Sequence, residues 1–174
     1  RFTEVAFKAR VALAGGFGCA AGDVNNDGLP DLVVSNMNTW LGGRRFTPGD
    51  PSYLFLNQGG LRFTEAARAA GLDHVGGGAA PLLADFDADG WLDLYVGTGG
   101  PEPRRDEADL LFRNEGCPPP GGQACTPRFT EVTRAAGMWR PDLCARGPAV
   151  ADYDRDGALD VFVPSGQQVE TSLL

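Results

Sequence analysis

The sequence predicts an all-β protein made of β-propeller blades, each of four antiparallel strands, with about three repeats in 174 residues. Three observations lead there. A nine-residue acidic loop occurs three times, a short run of β-branched and aromatic residues follows each copy, and a second marker, Arg-Phe-Thr-Glu, recurs with the same period. From Phe2 to Phe63 is 61 residues and from Phe63 to Phe129 is 66, while Asp23 to Asp85 is 62 and Asp85 to Asp152 is 67. Two markers that move together are the mark of a structural repeat.

The loops come first because they carry the chemistry. They read Asp23-Val-Asn25-Asn-Asp27-Gly28-Leu29-Pro-Asp31, Asp85-Phe-Asp87-Ala-Asp89-Gly90-Trp91-Leu-Asp93 and Asp152-Tyr-Asp154-Arg-Asp156-Gly157-Ala158-Leu-Asp160. Oxygen donors at positions 1, 3, 5 and 9, with glycine at 6, describe a site for a hard cation. Carboxylates packed this closely repel by roughly 0.5–1 kcal/mol per pair even in water, so the loop needs a counter-charge. Ca²⁺ suits it, because it takes six to eight flexibly placed oxygens, among them one backbone carbonyl, here that of Leu29, Trp91 or Ala158. About three ions are expected, one per loop. The same Asp-x-Asp-x-Asp-Gly run opens an EF-hand, but there position 12 is a bidentate Glu and the flanks are helices. Here position 12 is Val34, Val96 and Val163, within Leu32-Val33-Val34, Leu94-Tyr95-Val96 and Val161-Phe162-Val163, which read as buried strands. Position 9 therefore supplies the closing carboxylate, and the loop is a turn between two strands.

The remaining strands follow in order. Small residues precede each loop, as in Cys19-Ala20-Ala21-Gly22, 80–84 and 147–151, and suit a strand hemmed in by neighbouring backbones. A Leu-Phe strand closed by a tight turn recurs as Tyr53-Leu54-Phe55-Leu56-Asn57-x-Gly59 and Asp109-Leu110-Leu111-Phe112-Arg113-Asn114-x-Gly116. It feeds the Phe-Thr-Glu strand, whose second and third copies run into Ala66-Ala67-Arg68-Ala69-Ala70-Gly71 and Val132-Thr133-Arg134-Ala135-Ala136-Gly137, short helical turns stopped by glycine. Four antiparallel strands per unit of about 60 residues make a propeller blade, which leaves only short sheet edges. A β-solenoid has shorter repeats and more regular turns. The whole chain is expected to form one propeller region, with units at 14–72, 73–138 and 139–174 (incomplete) and residues 1–5 as the final strand of a blade.

With these residues in place the chain resembles the FG-GAP and VCBS-type repeats of the integrin α-subunit propeller, and more closely the cartilage acidic protein-like (ASPIC/UnbV) group. The resemblance rests on Phe17-Gly18 leading to Gly22-Asp23, on the three loops, on the Asn-x-Gly turns and on the Phe-Thr-Glu strands, and it covers nearly the whole chain. It implies that the calcium loop joins the inner two strands of each blade and that the matching Asp and Asn positions are calcium ligands. Asn25 departs by replacing an acid, which lowers the charge of the first site. The Phe-Gly pair is missing from units two and three. Three units are fewer than the seven or so blades of the family, so a longer precursor, or self-association of copies to complete a ring, is expected.

Composition agrees. The formal charge of −8 comes largely from the loops, which hold 11 of the 23 acidic side chains, three in the first and four in each of the others. Three Ca²⁺ would offset most of it, and the acidic balance argues against nucleic-acid or anionic-membrane binding. No apolar run is long enough to cross a membrane as a helix. Of the four cysteines, Cys117 and Cys125 flank a Pro-Gly insertion, and a disulfide closing that loop would contribute roughly 2.5 kcal/mol. Cys19 and Cys144 are either paired or free buried thiols. Calcium and a disulfide together point to an extracytoplasmic location, whether secreted, periplasmic or on the cell surface.

The function these features predict is a non-enzymatic, calcium-stabilised binding or adhesion module whose ligand, a protein or a glycan, meets the segments that do not repeat. Trp40, Arg44 and Arg45 are candidates, since Trp and Arg are favoured interface anchors, and Arg104 and Arg105 are further ones. The alternative is a propeller-based lyase or hydrolase acting on carbohydrate, or its substrate-binding part. It needs a base or nucleophile outside the loops, and Asp106, Glu107 and Asp109 beside the two arginines read more naturally as surface charge. A calcium sensor is the third idea, weakened by the absence of helical flanks.

Overall fold

The computed structural model describes residues 2–13, 16–36, 40–41, 44–45, 52–72, 78–98, 108–118, 125–140, 145, 147–164 and 172–173. Strands dominate them. β1 (Gly16–Gly22) and β2 (Asp31–Asn36) are followed by a two-residue hairpin, β3 (Trp40–Leu41) with β4 (Arg44–Arg45), then by β5 (Tyr53–Asn57) and β6 (Phe63–Glu65). The second blade comprises β7 (Gly78–Ala84), β8 (Asp93–Thr98), β9 (Leu110–Asn114) and β10 (Phe129–Glu131); the third has β11 (Ala149–Ala151), β12 (Asp160–Val163) and β13 (Ser172–Leu173). The sheets have the orders β1-β2-β5-β6, β7-β8-β9-β10 and β11-β12-β13, and every pairing is antiparallel. Each acidic loop joins the first two strands of its sheet. The blades form an open array, and no closed ring is present among the described residues.

Period-two alternation decides how the blades stack. In β8, Leu94 and Val96 face the first blade while Tyr95, between them, faces the third; in β9, Leu110 and Phe112 divide from Leu111 in the same way. The middle blade is therefore apolar on both faces, which is why these strands read as continuous hydrophobic runs. The core between blades one and two gathers Val24, Val33, Leu54, Leu56, Leu72, Leu94, Val96, Phe112 and Phe129; that between two and three is smaller, with Tyr95, Leu111, Ala145, Val161 and Val163. Full burial of each large side chain stabilises by about 1.5–3 kcal/mol. The first strands are small-residue strands because the blades converge there. A Cβ on Gly78 would lie 2.5 Å from Val96 Cγ1 and 3.2 Å from Ser35 Cβ of the first blade.

The helical turns after β6 and β10 end in the same double bond pattern. Gly71 N–H donates to the Arg68 carbonyl and Leu72 N–H to that of Ala67; Gly137 and Met138 repeat it onto Arg134 and Thr133. Both glycines have positive φ, as this C-terminal motif requires. The glutamate of each Phe-Thr-Glu strand caps the turn, Glu65 Oε1 accepting from Ala67 N–H at 2.8 Å and Glu131 Oε1 from Thr133 N–H at 2.7 Å.

Three expectations are corrected. Residues 2–5 form no strand: Phe2 is fully exposed, and Val5 leads into a four-residue helix, α1 (Ala6–Ala9). In the other two copies the equivalent strand pairs with a Leu-Phe strand, β6 with β5 and β10 with β9. Glu4 nevertheless caps the Ala6 N–H as Glu65 and Glu131 do, so α1 is a third copy of the helical turn. Cys19 carries a free thiol and is exposed, not buried, because it sits on the outward side of β1; Cys144 lies outside the described residues. Asp109 is no surface charge, since it is buried and accepts the hydroxyl of buried Tyr95. Burial, with the Asp109 charge and bond adding to it, pushes that phenol's pKa up.

Candidate metal centres

Each loop is built by its own side chains folding back on its backbone. In the second loop Asp85 Oδ1 accepts from Asp89 N–H at 3.1 Å and its Oδ2 from Gly90 N–H at 2.9 Å; Asp87 Oδ1 also accepts from Asp89 N–H, and Asp89 Oδ1 from Trp91 N–H. The third loop repeats all four bonds through Asp152, Asp154 and Asp156. The first does so through Asp23, Asn25 and Asp27, with the Asn25 amide oxygen standing in for a carboxylate oxygen. Two residues per loop take the left-handed conformation. One is the glycine at position 6, with φ of 85°, 91° and 94°, where nothing lies near a would-be Cβ, so conformation and not space demands glycine. The other is position 4, Asn26, Ala88 and Arg155, a signal that sequence reading passed over because only Asn26 is a residue type that favours it.

The folding-back brings positions 1, 3 and 5 together. Carboxylate oxygens of Asp85, Asp87 and Asp89 lie within 4.8 Å of one another, as do those of Asp152, Asp154 and Asp156. Position 9 has a different setting. Asp31 is fully buried; its Oδ2 accepts from Val24 N–H at 3.0 Å and its Oδ1 from Asn57 N–H at 2.8 Å. Asp93 is held identically by Phe86 and Asn114 N–H, and Asp160 Oδ2 by Tyr153 N–H. The asparagines reciprocate: Asn57 Nδ2 donates to the Pro30 carbonyl and Asn114 Nδ2 to that of Leu92, each at position 8. Position 9 and the Asn-x-Gly turn thus form a latch tying the loop to the third strand, a role sequence reading gave only to a tight turn. Burial raises the Asp31 pKa to about 6; the two backbone donors oppose the shift, and the charges of Asp27 and Asp23 add to it. Asp93 is raised for the same first reason.

At position 7, Trp91 lays its ring on the second Asn-x-Gly turn, where a Cβ on Gly116 would be 2.7 Å from Cε2, and Leu29 covers Gly59 of the first. The first loop is also wedged against the second blade. Asn25 is buried and donates to the Cys125 carbonyl at 3.3 Å and to Asp27 Oδ2 at 3.1 Å. Both sulfurs of the Cys117–Cys125 disulfide face the Asn25 carbonyl, Asn26 Nδ2 reaches Gly90 O, and Asn114 Nδ2 reaches Val24 O. The departure from acid at position 3 follows from this: a buried carboxylate has no hydrogen to give Cys125. Among the other candidates, Trp40 and Arg45 pair through their backbones, as part of the β3–β4 ladder with Leu41 and Arg44. The side chains of those four, and Arg104 and Arg105 entirely, lie outside the described residues.

The model of the FG-GAP-like repeat family matches residues 23–96, from the first position of the first loop through the strand after the second. Cartilage acidic protein 1 of Xenopus tropicalis is 27% identical over 207 residues, covering 91% of this chain, and its human counterpart is 34% identical over 164 residues, again 91%. Human integrin alpha-7 is 32% identical over 84 residues, 47% of this chain. The chain spans 30%, 21% and 7% of the lengths of those three relatives.

Proposed function

From an FG-GAP-like repeat running through residues 23–96, we propose that this integrin-like, adhesion-type module is a non-catalytic binding domain held together by calcium outside the cytoplasm. The observation that carries the calcium reading is the convergence of three carboxylates within 4.8 Å of one another, twice. The donor set fits the ion: every candidate is a hard oxygen, and each carboxylate oxygen that accepts an N–H keeps a second lone pair. The residues that would hold it are Asp23, Asn25, Asp27, the Leu29 carbonyl and Asp31; Asp85, Asp87, Asp89, the Trp91 carbonyl and Asp93; and Asp152, Asp154, Asp156, the Ala158 carbonyl and Asp160. Bound calcium supplies positive charge to an acidic turn and so fixes the first two strands of a blade. The Cys117–Cys125 disulfide supports an oxidising compartment. The ligand contacts we assign to the excursions after the second strands, Trp40, Arg44 and Arg45 in one and Arg104 and Arg105 in the other.

Calorimetric titration of the metal-stripped chain tests this, paired with melting curves in chelator and in calcium. At free calcium about a hundred times the dissociation constant each site adds about 2.7 kcal/mol, or about 5–10 °C for a chain of this size. Binding heat at about three equivalents, with a rise of that order for each site filled, is expected. Superimposable melting curves would remove calcium from the account.

A further inference from the structure

The first blade departs from the repeat at two positions that meet in one place. Residues 5–11 make the same turn as 66–72 and 132–138, with Arg10 N–H bonded to Phe7 O and Val11 N–H to Ala6 O. Where the other copies have Gly71 and Gly137 this one has Arg10, still left-handed with φ of 63°, and where they have Ala69 and Ala135 it has Lys8. The glycine matters for docking. Ala70 O accepts from Phe129 N–H of β10 at 2.8 Å, and a Cβ on Gly71 would sit 2.9 Å from Phe129 O, so turn and strand close only because that Cβ is missing.

Arg10 has the Cβ, and the equivalent contact with β6 stays open. Among the described residues no bond joins Phe63 N–H to Ala9 O. A cavity of about 650 Å³ lies there instead, lined by Lys8, Arg10, Leu61, Arg62, Phe63 and Thr64 with two neighbours. On the β5 side Arg62 O accepts from Gln58 N–H and Leu54 O from Ala66 N–H, so the alternation of an antiparallel ladder turns the Phe63 N–H to the open edge. Three cations and no carboxylate line this cavity in a chain of net charge −8, and among the described residues none of the three is in an ion pair. Leu61 is also left-handed and half-exposed, holding an apolar side chain at the rim. Arg10 holds with a side chain the left-handed conformation that glycine takes in the other two copies of this turn, a strain those copies do not carry.

We propose that this cleft binds an extended acidic peptide that adds along the edge of β6, its main-chain carbonyl accepting from Phe63 N–H, its carboxylates meeting Lys8, Arg10 and Arg62, and an apolar side chain resting on Leu61. The free strand edge favours a peptide over an anionic saccharide, because strand addition is read through main-chain bonds and alternate side chains. The site is independent of the calcium reading.

The test titrates a fluorescent peptide of alternating Glu and Val into the 174-residue chain, beside a heparin hexasaccharide and inorganic sulfate. Salt-dependent binding of the peptide and a shift of the Phe63 amide resonance are expected. Arg10→Gly restores the residue of the other copies, so it should raise the melting temperature while weakening the peptide at least about tenfold; loss of fold cannot explain that pairing. Lys8→Ala and Arg62→Ala should each weaken it several-fold. Unchanged affinity in Arg10→Gly, equal binding of hexasaccharide and peptide, or no binding of the peptide would each overturn the proposal.

Discussion

Asn25 and Asp31 show how one loop carries both structure and charge. Asn25 is the only position-3 residue that donates, and replacing it by aspartate sets a buried carboxylate against the Cys125 carbonyl and against Asp27. Leaving such a buried group without its partner costs about 1–3 kcal/mol, so Asn25→Asp should melt several degrees lower in chelator. The deficit should shrink in calcium, where the added charge becomes a ligand; Asp87→Asn, at the exposed equivalent, should be neutral or stabilising in chelator. Melting curves of the two variants in both buffers decide this, and an equal deficit for Asn25→Asp with and without calcium would contradict it. Asp31 adds a pH dependence. Its pKa in the fold is raised to about 6 from 3.8, so the stability it contributes to the metal-free protein is full below about 3.8 and is lost as pH rises through about 6. Calcium requires the ionised form. The gap between the calcium and chelator melting temperatures should therefore narrow from pH 7.5 to pH 5, and a constant gap would show that Asp31 is not linked to the ion.

At the scale of the element, the helical turns separate conformation from close approach. Gly71 and Gly137 both have positive φ, but only Gly71 has a backbone oxygen, Phe129 O, at 2.9 Å from a would-be Cβ. Gly137→Ala should cost about 1–2 kcal/mol, the penalty of the left-handed conformation alone, and Gly71→Ala clearly more, because β10 must move away. Chemical denaturation of the two variants measures the difference; equal losses would mean that the turn does not bear on the next blade. The same elements show what the sequence makes legible. The acidic loops, the strands behind them and the disulfide are readable because each depends on local spacing and residue type. The first helical turn is not, since Arg10 replaces the glycine that marks the other two, and only Glu4, the capping residue, betrays it. The latch between Asp31 or Asp93 and the Asn-x-Gly turn escaped as well, because its partners lie 26 and 21 residues apart and meet only once the sheet has formed. Asn25 looked like a weakened ligand for the same reason: the carbonyl it serves is 100 residues away.

For the whole molecule the loops set a charge problem that the cores must overcome. Eleven carboxylates sit in three turns, the middle blade carries apolar contacts on both faces, and the third blade has the smaller core. Without calcium, repulsion among side chains within 4.8 Å of one another opposes folding, and it falls as added salt shortens the screening length from about 10 Å at 0.1 M to about 3 Å at 1 M. Sodium chloride should therefore raise the melting temperature of the chelated protein over that range. In calcium near the dissociation constant the sign reverses, because the same screening weakens attraction between the ion and its carboxylates and removes binding free energy from the fold. Two melting series, one in chelator and one at limiting calcium, would trace slopes of opposite sign. Parallel slopes would mean that repulsion among the loop carboxylates does not bear on stability and that the blades are held by their apolar faces alone.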